Sequence, residues 1–159
     1  GFNYRMTEIQ AAIGLAQMSK LDVILETNRR NYSVLYSGLK HLKSKGLQFR
    51  RTLANSNPAC DALIFQLPTM DHAEALVSRM TQHGLGTKNL PDAIDWHFAG
   101  TWGHIFQNYG ISKGELWEIP LPTYERLARC IAVPIMVSDS VRKVQEVASI
   151  LSEEIEQIL

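Results

Sequence analysis

Two stretches of this sequence place side chains in patterns that can do chemistry. The first is Asn3, Tyr4 and Arg5, donor-rich residues just ahead of a segment with helical periodicity. An amide and a guanidinium at the positive end of a helix suit an anion, because unpaired backbone N–H groups and the helix dipole add to their own hydrogen bonds. The alternative is that both residues satisfy only loop carbonyls and solvent. The second stretch is Trp96-His97-Phe98-Ala99-Gly100-Thr101-Trp102-Gly103-His104. Two histidines seven residues apart among aromatics suit the wall of a pocket for a sugar ring and an acidic group, with His97, Trp102 and His104 as the contacts. A zinc site would need a third ligand at close spacing, and none is present. The plainer alternative, aromatics anchoring a long loop to a sheet, stands beside it.

Other chemistries find no support. Ser112 and Ser138 lack a His and Asp partner pattern, so a hydrolase triad is not indicated. There is no glycine-rich phosphate loop. The 159 residues carry 16 basic and 16 acidic side chains, so no net charge steers the chain toward nucleic acid or membrane. Arg29-Arg30 and Arg50-Arg51 are short basic pairs in that balanced background. Cys60 and Cys130 stand alone without a C-x-x-C motif and read as reduced residues of a cytoplasmic protein, with a disulfide between them left open. No apolar run is long enough to cross a bilayer, and no targeting segment is present. A start at Gly1, directly before a helix and without Met, is expected of a piece of a longer polypeptide.

Helices and strands must position these residues. Thr7 with Gln10 three residues on predicts a capping box, and Ile9, Ala12, Ile13 and Ala16 then form one apolar stripe. A second helical pattern runs from Leu21 to about Ser44, as one long helix or two with a kink near Asp22, and Gly46 stops it. Gly38 inside it is a local weakness, costing about 1 kcal/mol against alanine. Leu47 to Leu53 and Asp61 to Leu67 read as strands on either side of a turn-rich Asn55-Ser56-Asn57-Pro58. A helix from His72 to His83 capped by Gly84, and a short strand from Leu85 to Lys88, follow. Residues 89–122 read as a long irregular segment with a short helix near Thr101 to Gln107. A short helix from Tyr124 to Cys130 leads into a strand from Ile131 to Val137, whose Pro134 belongs at a sheet edge or bulge. Ser138 is the expected N-cap of the last helix. His41, His72 and His83 are expected to face solvent. The fold class is α+β: a small, mostly antiparallel sheet with helices on one face.

The first twenty residues resemble the sugar aminotransferases of the DegT/DnrJ/StrS type. The pattern G-[FY]-N-x-R-[ML]-x-E-x-Q-A-A-x-G is met by Gly1, Phe2, Asn3, Arg5, Met6, Glu8, Gln10, Ala11, Ala12 and Gly14. The resemblance implies a pyridoxal-phosphate (PLP) enzyme of the aspartate-aminotransferase fold that moves an amino group from glutamate to a keto or aldehyde sugar. It implies that residues 1–44 link a large domain to a C-terminal small domain over 45–159. It also implies that Asn3 and Arg5 reach across a dimer to the cofactor of the neighbouring subunit. If the face from Ile9 to Ala16 normally packs on a large domain, it is left bare in this chain, so a homodimer or higher oligomer in contact through residues 2–36 is expected. In that family His97, Trp102 and His104 would border the substrate entrance, and the His-Phe-Ala-Gly-x-Trp-x-His pattern is similar to the amino-Kdo octulosonate branch.

The same resemblance places the cofactor lysine ahead of Gly1. The lysines present are Lys20, Lys40, Lys43, Lys45, Lys88, Lys113 and Lys143, and only Lys88 lies in a loop beside an expected strand. The expectation is that this polypeptide alone binds no PLP and has no catalytic residue. The rival from another class is a binding or interaction module with the same fold and no chemistry.

Overall fold

The computed structural model describes residues 5–110 and 121–159. Helix α1 (Glu8–Met18) begins with the expected capping box: Gln10 N–H donates to Thr7 Oγ1 at 3.3 Å, and the Thr7 N–H donates to Gln10 Oε1 at 2.9 Å. A break at Ser19 and Lys20 separates it from α2 (Leu21–Leu39), so the long segment is two helices. A 3-10 turn, Lys40–Lys45, closes on Gly46 at φ 100°, a left-handed position that glycine adopts without strain.

Three strands form one antiparallel sheet in the order β1 (Gln48–Phe49), β2 (Ala62–Gln66), β3 (Cys130–Pro134). The register pairs Phe49 with Phe65 and Phe65 with Ile131, so odd-numbered residues of all three strands share one face. That face is covered by α2, α3 (Met70–Gln82) and the last helix. Leu35, Leu39, Leu63, Phe65, Leu76 and Leu151 are fully buried between them. Pro134 lies on an outer strand, where its missing N–H costs nothing, as expected of a sheet edge.

Several expected boundaries move. The first strand ends at Phe49 instead of Leu53, with one further bond from Arg50 N–H to the Ile64 carbonyl. Extending the alternation past Phe49 would place Arg51 on the core face, so pairing stops before a charge must be buried. Leu85 to Lys88 is not a strand, because Asn89 at φ 69° ends the extended run. The segment still lies along β3, with Lys88 N–H donating to the Ala132 carbonyl and Ala132 N–H to that of Leu90. The second core helix starts at Met70, where Thr69 Oγ1 accepts from His72 N–H at 3.1 Å.

Among the described residues, the irregular segment holds four short helical pieces: α4 (Ile94–His97), the 3-10 turn Ala99–Thr101, α5 (Gly103–Phe106) and the 3-10 turn Gln107–Tyr109. Helix α6 (Leu121–Ala128) leads into β3, and α7 (Val141–Ile158) ends the chain. Ser140, not Ser138, caps α7 and accepts from Lys143 N–H, since a turn closed by Asp139 N–H on the Met136 carbonyl holds 136–139 out of helix. His41 and His83 are exposed and pair with Glu156 and Glu154. His72 departs from expectation: it is half-buried, and its buried Nδ1 has no hydrogen-bond partner among the described residues.

Gly38 reverses its expected role. A Cβ on it would lie 2.7 Å from the Ala148 Cβ of α7, so its missing side chain is what lets α2 and α7 approach. Gly38→Ala gains about 1 kcal/mol of helix propensity, but forcing the two helices apart costs about 1–3 kcal/mol. The variant is therefore expected to unfold at lower urea concentration than the parent. A higher midpoint would show that the contact is not limiting.

Candidate functional site

Arg5 is exposed two residues before the Thr7 cap, ahead of the positive end of α1; Asn3 lies outside the described residues. No residue of α1 is buried. Its stripe of Ile9, Ala12, Ile13 and Ala16 faces solvent, with Ile9 74% exposed. Ala11, Leu15 and Met18 sit on the opposite side of the helix, and Leu15 is also 74% exposed. A helix apolar on two opposite faces is normally covered on both. The stripe alone was visible from the sequence; the second face follows from projecting the helix.

The aromatic and histidine stretch folds as short turns held by its own backbone. Thr101 Oγ1 donates to the carbonyls of Asp95 (2.6 Å) and Phe98 (2.7 Å), and Trp102 Nε1 donates to that of Trp96 at 3.2 Å. Phe98 is buried and its ring lies 5.4 Å from that of Tyr124 on α6. A Cβ on Gly100 would come within 2.4 Å of the Phe98 ring, so only glycine lets the chain pass over it. His97 and His104 are exposed, whereas Trp102 is half-buried. Trp102 thus ties the segment to itself and Phe98 packs it on α6; neither contact is with the sheet, to which the plainer sequence reading has the aromatics anchor. The histidines remain available at its surface.

Two cavities stand out. One, of about 790 Å³, is a groove between α2 and α7 lined by small and polar residues that include Ser33, Ser37, Gly38, Ser149 and Ser152. The other, of about 730 Å³, opens on the sheet face away from α2, α3 and α7 and gathers Arg50, Arg51, Arg126 and Arg129 with Gln66. Neither is lined by His97, Trp102 or His104, and neither by a lysine among the described residues. The sequence shows Arg50-Arg51 as an isolated pair. Arg126 and Arg129, three apart, lie some 75 residues on, and only the antiparallel pairing of β2 with β3 brings the two pairs together.

The lysines are occupied or exposed. Lys88 Nζ lies 2.6 Å from Asp61 Oδ2, and that hydrogen bond holds the Asp61 carboxyl below the usual carboxylate range. Lys43 donates to the Tyr36 hydroxyl at 2.8 Å, and Lys143 pairs with Asp139 at 2.9 Å. Lys20, Lys40 and Lys45 are exposed, and Lys113 lies outside the described residues. Both cysteines are free, and burial pushes their thiols up. Among the described residues no group of three His, Cys, Asp or Glu can hold a metal, and no helix is long and apolar enough to cross a membrane.

Comparison with known proteins gives a family and a fold. The family model described as the DegT/DnrJ/EryC1/StrS aminotransferase family matches residues 1–152. Among solved structures, the PMP form of Spr1654 from Streptococcus pneumoniae, assigned as a sugar aminotransferase, superimposes with a TM-score of 0.71 at 13% identity. That match covers 98% of this chain and 36% of the other. The PLP form of the same protein gives a TM-score of 0.70 at 13% identity, covering 98% and 37%. The 3-amino-5-hydroxybenzoic acid synthase gives 0.74 at 18% identity, covering 99% and 41%. The chain thus spans about two fifths of the length of these structures.

Proposed function

The chain belongs to the DegT/DnrJ/EryC1/StrS aminotransferase family, and from that premise we infer that it forms the C-terminal part of a PLP-dependent sugar aminotransferase. The reaction is transfer of an amino group from glutamate to a keto or aldehyde sugar. The observation that carries this reading is the family match itself, which takes in the Asn3 to Gly14 segment and nearly all of the small domain. On this reading residues 1–44 are the connection from the large domain, and 45–159 are the small domain.

PLP, when bound, serves as the electron sink for amino transfer and needs an attachment lysine with an acid opposite its pyridine nitrogen. The described residues do not make that site by themselves, since no lysine lines either cavity. No step is therefore routed through the cofactor in this chain. Its own share is narrower: Asn3 and Arg5 contribute to a phosphate or acidic subsite across a dimer interface, and His97, Trp102 and His104 to the substrate side. The two bare apolar faces of α1 support this. Burying side chains such as Ile9, Ile13, Leu15 and Met18 is worth roughly 1.5–3 kcal/mol each, which favours a covering layer on both sides. The pattern around His97 favours an octulosonate sugar over a nucleotide-linked hexose. A binding module without chemistry is the second reading, favoured by the lysine-free cavities.

Arg5→Ala tests the proposal in the intact enzyme. A charge-assisted hydrogen bond is worth about 1.5–3 kcal/mol, so PLP or substrate affinity should fall about tenfold to a hundredfold. The melting temperature should hardly move, because an exposed side chain ahead of a helix adds little to the core. Normal binding of both ligands with a much lower melting temperature would make Arg5 structural and end the cross-subunit role.

A further inference from the structure

The four arginines on the open sheet face converge from three separate places. Arg50 and Arg51 follow β1, Arg126 is in the last turn of α6, and Arg129 lies between α6 and β3. Among the described residues, no aspartate or glutamate lines the cavity they share. Among the described residues none of the four takes part in an ion pair. Arg129 is fixed by neutral acceptors only. Its Nη1 donates to the Pro68 carbonyl at 3.0 Å, and the Gln66 amide oxygen, turned toward it, accepts from Nε at 3.1 Å and Nη2 at 2.7 Å. The guanidinium is thus anchored while its charge stays uncompensated. Cys130 also lines the cavity, and burial pushes its thiol up, so it supplies no negative charge at neutral pH.

Scattered surface arginines are ordinary, but this cluster is different. In a chain of zero net charge, four like charges are gathered in one concavity whose lining, among the described residues, holds no acid. Such a concavity focuses positive potential, and the planar guanidinium fork matches the paired oxygens of phosphate and carboxylate. A volume near 730 Å³ is that of a site for one small molecule.

We propose that this cavity is a binding site for a small molecule carrying a multivalent oxyanion, of the phosphate or polycarboxylate type, held chiefly by Arg51, Arg126 and the anchored Arg129. The site is an equilibrium anion site and does not depend on the aminotransferase reading, so either can fail without the other.

The test is calorimetric titration of the full protein with pyrophosphate and, separately, with citrate. Arg51→Gln and Arg126→Gln lie on different elements, and neither parent side chain makes a hydrogen bond among the described residues. Each substitution should weaken binding about tenfold, and Arg142→Gln, on the exposed side of α7, should leave it unchanged. Binding to the unaltered protein should also weaken as salt is added, a reading that needs no variant. Pyrophosphate alone binding assigns a phosphate-type ligand, citrate alone a polycarboxylate, and both the shared chemistry. Failure of both probes to bind, salt-independent binding, or equal loss in Arg142→Gln overturns the site.

Discussion

Phe65→Ala is expected to destabilise the protein by about 3–5 kcal/mol, the range for removing a buried aromatic ring from a core. Phe65 occupies the middle of the central strand and is 1% exposed. It is paired laterally with Phe49 and Ile131, and its ring centroid lies 6.1 Å from that of Phe49 at 66°. Phe49 in turn meets Tyr36 of α2 at 4.9 Å, so one edge-to-face series joins the sheet to the helix layer. Truncation removes the sheet end of that series and leaves a void that neighbours in the sheet and the helix layer would have to fill. Domains of this size are stable by roughly 5–15 kcal/mol, so the loss is a large fraction of the total. Urea unfolding of the variant measures it. A change below about 1 kcal/mol would mean that the sheet and helices do not pack around this residue.

How far the sequence foretold this arrangement depends on the range of the forces involved. The Thr7 capping box, the left-handed stop at Gly46 and the edge position of Pro134 were legible because each rests on a few neighbouring residues. The run Ala62 to Gln66 was legible because a buried central strand reads as a continuous apolar stretch. Gly38 was misjudged in sign: propensity is local, whereas its value comes from Ala148 on a helix 110 residues away. The end of β1 was missed because the placement of Arg51 on a core face appears only once the register with β2 is known. Ser138 and Ser140 are both acceptable caps in isolation, and a turn through Met136 and Asp139 decides between them.

The site divided in the same way. The capping box next to Arg5 was readable, whereas the Trp102 to Trp96 hydrogen bond, which turns the aromatic stretch back on itself, was not. The arginine cavity was not readable. Its two pairs look like unrelated surface charges until the strands bring them to one face.

The central claim is that this chain supplies the small-domain side of a transaminase and not the lysine that holds its cofactor. Such a lysine must present a free amine inside a closed pocket, opposite an acid for the pyridine nitrogen. Lys88 is engaged by Asp61 at 2.6 Å, Lys143 by Asp139 at 2.9 Å, and Lys43 by the Tyr36 hydroxyl at 2.8 Å. Lys20, Lys40 and Lys45 are exposed and line neither of the two cavities described. The decisive measurement is to saturate the protein with PLP, reduce with borohydride, digest, and map the modified peptides by mass spectrometry. The account predicts no stoichiometric adduct at Lys20, Lys40, Lys43, Lys45, Lys88, Lys113 or Lys143. One of these lysines carrying a full equivalent of reduced cofactor would contradict it.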